Sequence, residues 1–293
     1  MNAESDALPV FQEHRSLLFG IAYRMLGSVA EAEDMVQETF LRWQRQAVGE
    51  IKSAKAWLTA TITRMCIDEL RSARKRREEY IGVWLPEPLI QTHTDSPEKE
   101  AGLADSLSTA FLVLLETLSP AERAVFLLRE VFEYDYSEIG QIIDKNEANC
   151  RQMVRRAKEH LAEGRSRFQV APELNERLVQ QFLETCRKGD TASLLSMLSE
   201  DAVLYSDGGG KVPAAPQPVM GAAKVARFLI GVSKLARPDE EIRMATVNSD
   251  PGILRYIDGK LVQTTALQIV EGRITAIYVV RNPDKLRNRA DLG

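Results

Sequence analysis

Histidine is scarce in this chain of 293 residues: there are three, His14, His93 and His160, and none follows residue 160. The C-terminal stretch therefore lacks the side chain most used for proton transfer near neutral pH. Cysteine is equally sparse. Cys66, Cys150 and Cys186 stand alone, each inside a helical pattern, which argues against a disulfide framework and against a zinc site. With neither cluster present, no metal and no cofactor is expected. No apolar run approaches the roughly 20 residues that span a bilayer, and the opening MNAESDALPVFQEHR lacks the basic-then-apolar order of a secretory signal. A cytoplasmic location with no membrane partner is expected. The chain also lacks a positive excess: its net charge is −4, whereas DNA affinity comes mostly from clustered positive charge. A DNA-binding function would need local basic faces and a partner.

Local basic faces are present. The stretch LSPAERAVFLLREVFEYDYSEIGQIIDKNEANCRQMVRRAKEHL, from Leu118 to Leu161, punctuates itself into three short helices. Ser119 and Glu122 form a capping box with Pro120 at the first helical position, and Asp135 with Glu138 repeats the device. The second helix is short and ends at Asp144-Lys145-Asn146, and Asn146 caps a third. On that third helix Cys150, Met153, Val154, Ala157 and Leu161 make one buried stripe. Asn149, Arg151, Gln152, Arg155 and Arg156 are left outside, and these are the residue types that read base edges and phosphates in a major groove. The pattern is that of a helix-turn-helix; the same residues would also suit a solvated basic face.

Upstream, residues 11–79 are helical throughout. Ser28 and Glu31 cap a helix with Ala32, Met35, Val36, Thr39, Phe40 and Trp43 on one face and Asp34, Gln37, Glu38 and Arg42 on the other. A second helix, from about Ser53 to Arg77, ends in the basic run Arg71, Arg74, Lys75, Arg76 and Arg77. Residues 80–95, YIGVWLPEPLIQTHTD, have no helical period and read as a linker, yet Trp84, Leu85 and Leu89 are too apolar for a plain spacer. Such a linker packs against something. Ser96-Pro97-Glu98 restarts a helix. Beyond residue 168 come helices over 173–188 and 191–198, a strand over 202–206, a glycine turn, a Pro-rich loop and a helix over 222–235. Four strand-like runs follow, at 240–247, 253–256, 261–270 and 273–280, with Asp258-Gly259 and Glu271-Gly272 as turns. Helices followed by a meander indicate an α+β domain.

Taken together, GSVAEAEDMVQETFLRW, LSPAERAVFLLRE and YSEIGQIID resemble regions two and four of the bacterial sigma-70 family, in its extracytoplasmic-function branch. WLPEPL, SDGGGK and NPDKL are similar to a narrower group of these factors with a fused SnoaL-like domain. The resemblance implies a multidomain fold: two all-α sigma domains at 1–80 and 107–168, a linker at 81–106, and a cone-shaped α+β barrel at 169–293. It implies core RNA polymerase and promoter DNA as partners, with Asp34, Gln37 and Glu38 on the helix that docks against polymerase. Trp57, Arg71, Arg74, Lys75 and Arg76 are the candidates for the minus-ten element, where unstacked bases need an apolar platform and nearby positive charge. Trp57 fits a core position equally well. Met65 stands where many factors of this branch carry Asn, so no base-reading role is carried over to it. For the minus-thirty-five element the candidates are Asn149, Arg151, Gln152, Arg155, Arg156 and Lys158.

In the similar group the C-terminal motifs are associated with control of sigma activity. The regulatory candidates are Trp84, Leu85 and Pro86, then Asp207, Gly208, Gly209, Gly210 and Lys211, then Asn282, Pro283, Asp284, Lys285 and Leu286. Asp207-Gly-Gly-Gly-Lys211 does not have P-loop spacing, and three glycines read as a flexible turn that another surface can approach. Relatives of the SnoaL-like fold include enzymes with an Asp/His pair, but no histidine is present here and Asp207 has no evident proton-transfer partner, so no enzyme activity is expected. An intramolecular contact between the C-terminal domain and the sigma domains, with WLPEPL as hinge or buried strap, is the expected means of control. The alternative is a stand-alone helix-turn-helix regulator that senses a small molecule in the cone.

Overall fold

The computed structural model describes residues 3–46, 51–91, 108–162, 175–235 and 237–286. By internal contacts the chain divides into two units, Met1–Glu78 with Leu114–Arg165, and Glu79–Val113 with Ser166–Gly293. The helix expected to restart at Ser96 lies outside the described residues.

The first unit is helical. Helices α1 (Ala3–Leu26), α2 (Val29–Gln44) and α3 (Ala54–Glu78) pack together. The Ser28 hydroxyl caps α2 at the Glu31 amide, and Val29, Ala32, Val36, Thr39 and Trp43 form its buried stripe. After α4 (Thr109–Leu115), which begins in the other unit, come α5 (Pro120–Glu130), α6 (Tyr136–Ile143) and α7 (Glu147–Ala162). The expected punctuation is there: Ser119 and Glu122 form the reciprocal box on α5, and Asn146 Oδ1 accepts the Asn149 amide at 2.8 Å to start α7. Asp144 takes the left-handed conformation that closes α6.

The second unit is built on a seven-stranded sheet in the order β1-β4-β5-β6-β7-β2-β3. Helices α8 (Asn175–Lys188) and α9 (Thr191–Met197) precede β2 (Leu198–Asp207), and β3 (Val219–Met220) precedes α10 (Ala222–Ser233). Strands β4 (Glu240–Val247), β5 (Asp250–Ile257), β6 (Lys260–Val270) and β7 (Arg273–Val280) form the expected antiparallel meander, and β7 then pairs parallel with β2. Three two-residue turns join the meander, Asn248-Ser249, Asp258-Gly259 and Glu271-Gly272, with positive φ at both positions, the conformation that matches strand twist.

The sheet buries both faces, and this accounts for β7, in which every residue from Ile274 to Val280 is buried and all but Thr275 are apolar. On one face Ile253, Leu267, Ile274 and Ile277 pack with Phe182, Leu194 and Val225 of the helices. On the other, Leu254, Tyr256, Ala276, Tyr278 and Val280 pack with Leu85, Ile90 and Ala110. The segment expected to be a linker is thus a strap that covers the open face of the sheet. Residues 85–90 are all buried, and β1 (Ile90–Gln91) adds an edge strand beside β4. Burying Leu85 alone contributes roughly 1.5–3 kcal/mol.

Candidate functional site

On α7 the predicted stripe is inward, with Cys150, Val154, Ala157 and Leu161 buried and Met153 half-buried. Asn149, Arg151, Gln152, Arg155 and Arg156 are exposed on the opposite side. Two arginines are tethered along the helix, Arg151 to Glu147 at 2.7 Å and Arg155 to Glu159 at 2.8 Å, and Arg151 also lies 5.1 Å from the Tyr136 ring centre. Such exposed pairs are weak, so the guanidinium groups can exchange onto phosphates or bases. Lys158 differs from its helix neighbours: it is half-buried and paired with Glu130 of α5 at 2.7 Å.

Asp34 and Gln37 are exposed on α2, and Glu38, half-buried, pairs with Arg42 at 2.8 Å. Trp57 is half-buried with its ring 5.5 Å from that of Trp43, whose indole nitrogen donates to the Ala7 carbonyl. Half-burial beside Trp43 is compatible with either role weighed for Trp57. Arg71 is exposed and bound to Asp68 at 3.0 Å. The side chains of Arg74, Lys75 and Arg76, in the last turns of α3, lie outside the described residues.

Helix α3 is also tied to the helix-turn-helix. Arg64 donates to the Ile142 and Gln141 carbonyls, at 2.7 and 2.8 Å, where α6 ends and its carbonyls lack helical partners. Thr59 and Tyr134 share a hydrogen bond of 3.0 Å. Arg123 of α5 is fully buried and donates to the carbonyls of Leu115 and Met25 and to Glu116. Burial pulls its guanidinium down to about 9. None of these cross-links was visible in the sequence, because most end on backbone carbonyls that carry no side-chain signature and the Thr59–Tyr134 bond joins residues 75 apart.

In the second unit the three motifs expected to be regulatory meet at one carboxylate. Asp207, at the end of β2, is completely buried. It accepts from Tyr80 Oη at 2.5 Å, from the Leu85 amide at 3.0 Å, from the Gly209 amide at 3.0 Å and from Lys285 Nζ at 2.7 Å. Lys285 in turn donates to the Leu85 carbonyl at 2.5 Å and lies 4.3 Å from the Trp84 ring centre and 5.1 Å from that of Tyr80. Asn282 donates to Tyr80 Oη at 2.8 Å, and Lys211 pairs with Asp284. Burial, then the facing Asp207 carboxylate, pushes the Tyr80 phenol upward, so it stays a donor.

The glycines serve this latch by fit rather than by flexibility. Gly209 has φ +61°, and a Cβ there would run into the Asn282 side chain; a Cβ on Gly208 would strike the Val212 carbonyl. The expectation of a loose turn is corrected accordingly: close backbone approach needs glycine here, and the turn is packed. The partners of Asp207 are a cation and hydrogen-bond donors.

A second clamp sits at the β4–β5 turn. Asn248 and Leu89 exchange hydrogen bonds, Leu89 N to Asn248 Oδ1 at 2.8 Å and Asn248 N to the Leu89 carbonyl at 2.9 Å. Asp250 is buried and accepts the Thr109 amide at 2.8 Å at the start of α4. Burial raises its carboxyl to about 7. Sequence reasoning missed Tyr80, Asn248 and Asp250. The one available signal was the turn-forming Asn248-Ser249-Asp250 between two strand patterns.

Among the described residues no group of metal-ligating side chains and no helix long and apolar enough to cross a membrane is found. Residues 10–76 match the family model for sigma-70 region 2, and residues 108–161 match that for sigma-70 region 4. Over 287 residues the chain is 33% identical to the ECF RNA polymerase sigma factor SigJ of Mycobacterium tuberculosis, covering 94% of this chain and 91% of that protein. It is 32% identical over 297 residues to the probable ECF RNA polymerase sigma factor SigI of the same organism, covering 100% and 99%. The crystal structure of M. tuberculosis SigJ superposes with a TM-score of 0.77 at 30% identity, covering 96% of this chain and 98% of that one.

Proposed function

The chain belongs to the extracytoplasmic-function sigma factors of the sigma-70 family, and we propose that it directs core RNA polymerase to promoters under the control of its own strap. Its similarity to sigma factors covers the entire chain, so the SnoaL-like part is read as a controller and not as an enzyme. Asp34, Gln37 and Glu38 would face polymerase; α3, with Trp57 and the basic run, the minus-ten element; and the outer face of α7 the minus-thirty-five element.

The observation that carries the regulatory reading is the Asp207 latch, which ties Tyr80 and Leu85 to Lys285. The two promoter elements lie about 25 base pairs apart, roughly 85 Å at about 3.4 Å per base pair. A folded unit of this size has a radius of gyration near 15 Å and is about 40 Å across. Helices α3 and α7 therefore have to separate from their shared unit to engage both elements at once. The tether between them is the 35 residues from Glu79 to Val113. Fully extended it reaches about 120 Å. Held at Tyr80, Leu85, Leu89 and Thr109 it spans no more than the folded unit that holds it. Latching the strap is thus a means of setting whether the two DNA-reading elements can move apart.

The test is transcription in vitro with purified core polymerase, comparing the full chain, the Asp207→Ala variant and a chain ending at Phe168. The expected result is promoter-specific, core-dependent transcript whose yield changes in both altered forms. No core-dependent transcript from any form would refute the promoter-directing assignment. Equal yield from all three would remove the strap from the reading.

A further inference from the structure

Between α8, α10 and the inner face of the sheet lies a cavity of about 920 Å³, of the size that takes a whole small organic molecule. Its walls are mostly apolar, with Phe182, Leu229, Ile253 and Val279 among the lining side chains. Neutral polar side chains such as Gln217, Gln263 and Thr265 also line it, but the charged groups are few and unbalanced: Arg255 and Arg281 meet one carboxylate, Glu240, which is bound to Arg255 at 3.4 Å. Arg237, also on the wall, already holds Asp239 with two contacts of 3.0 and 3.1 Å. Arg281 is left over. One of its terminal nitrogens donates to the Pro213 carbonyl at 2.5 Å, while its Nε is buried with no hydrogen-bond partner. Burial and the like charge of Arg255 pull its guanidinium downward, with Glu240 opposing only in part.

A half-buried guanidinium whose Nε is buried and unpartnered beside apolar walls is costly unless an acceptor joins it, and an anion is the acceptor that also answers the charge. A neutral apolar occupant would fill the volume and leave that donor unsatisfied; a cation would meet two arginines. We propose that this cavity is a binding site for an apolar molecule bearing a single carboxylate, the acid group pairing with Arg281 and the body lying against Phe182, Leu229 and Ile253. The site stands on the cavity and its charge alone and requires nothing of the strap.

Binding can be read on the full chain with the fluorescent apolar probe N-phenyl-1-naphthylamine at neutral pH, displaced by decanoate, by 1-decanol or by decyltrimethylammonium. The expected result is saturable probe binding and decanoate displacing at concentrations about tenfold or more below those of decanol, as a charge-assisted hydrogen bond would give. The Arg281→Gln variant should bind the probe as before and lose the preference for decanoate. Val232→Trp, which fills the cavity from α10, should lose the probe. Equal potency of decanoate and decanol on the unaltered chain would overturn the proposal, as would decanoate preference that survives Arg281→Gln or probe binding that survives Val232→Trp.

Discussion

Replacing Asp207 by Asn should open the strap without touching any residue proposed to contact DNA. The side chains of Asp207 and Lys285 are 0% and 12% exposed, so their ion pair is screened little by solvent. Asparagine keeps most of the volume and can still accept from the Leu85 amide, but it strands the Lys285 ammonium in a half-apolar setting between Trp84 and Tyr80. Removing one member of a buried pair costs about 3–5 kcal/mol. If roughly 3 kcal/mol of that is lost from local opening of the strap, exchange of the Leu85 amide should quicken by about a hundredfold. Leu89, held by Asn248, should respond less. Hydrogen exchange of the full chain reads both amides directly and avoids treating two units as one transition. Lys285→Met leaves the opposite charge alone, and the double variant leaves none. The cycle should therefore show positive coupling, the double variant being less exposed at Leu85 than the sum of the singles implies. Additive effects, or unchanged exchange at Leu85 in Asp207→Asn, would refute the reasoning.

The Asp250 carboxyl, raised to about 7, binds its proton more tightly in the folded chain than in the unfolded one. Its contribution is full at acid pH, below the ordinary carboxylate range, and is lost as pH rises through 7. Between pH 5 and pH 8 the loss should be roughly 2.5 kcal/mol, read as faster exchange at Thr109, and Asp250→Asn should abolish that pH dependence. Arg64→Ala removes two charge-assisted bonds to the end of α6 and should weaken the α3–α6 contact by about 1–3 kcal/mol, measured as faster exchange in α6. Because those bonds hold α3 and α6 together, the same variant should raise transcript yield if their separation limits promoter engagement. Arg155→Ala should cost roughly 1–3 kcal/mol in promoter binding and relax sequence preference at one position of the minus-thirty-five element, scored by binding to a panel of single-base variants.

The helices of the first unit, their caps and the outward face of α7 were legible in the sequence because they are local. A capping box spans three residues and a buried stripe recurs every three or four, so Ser119, Glu122, Asn146 and Cys150 announce their own positions. The meander was legible for the same reason, through strand-like runs punctuated by turn residues, and the strand boundaries at 240–247 and 273–280 coincide with those expected. Family resemblance added which faces are proposed to meet polymerase and promoter, and singled out WLPEPL, SDGGGK and NPDKL without saying how they act.

Only the tertiary structure decided that these three motifs form one latch. Tyr80 and Leu85 meet Asp207 across more than a hundred residues, and Lys285 closes the set from the far end of the chain. Nothing periodic links such positions. What brings them together is the open face of a sheet whose strands are apolar on both sides: the helices cover one face, and the strap supplies the missing cover on the other. The sequence by itself determined that Leu85 had to be buried somewhere. Where it is buried, and that its burial places a lysine, a tyrosine and a carboxylate in contact, follows from the order in which seven strands pair.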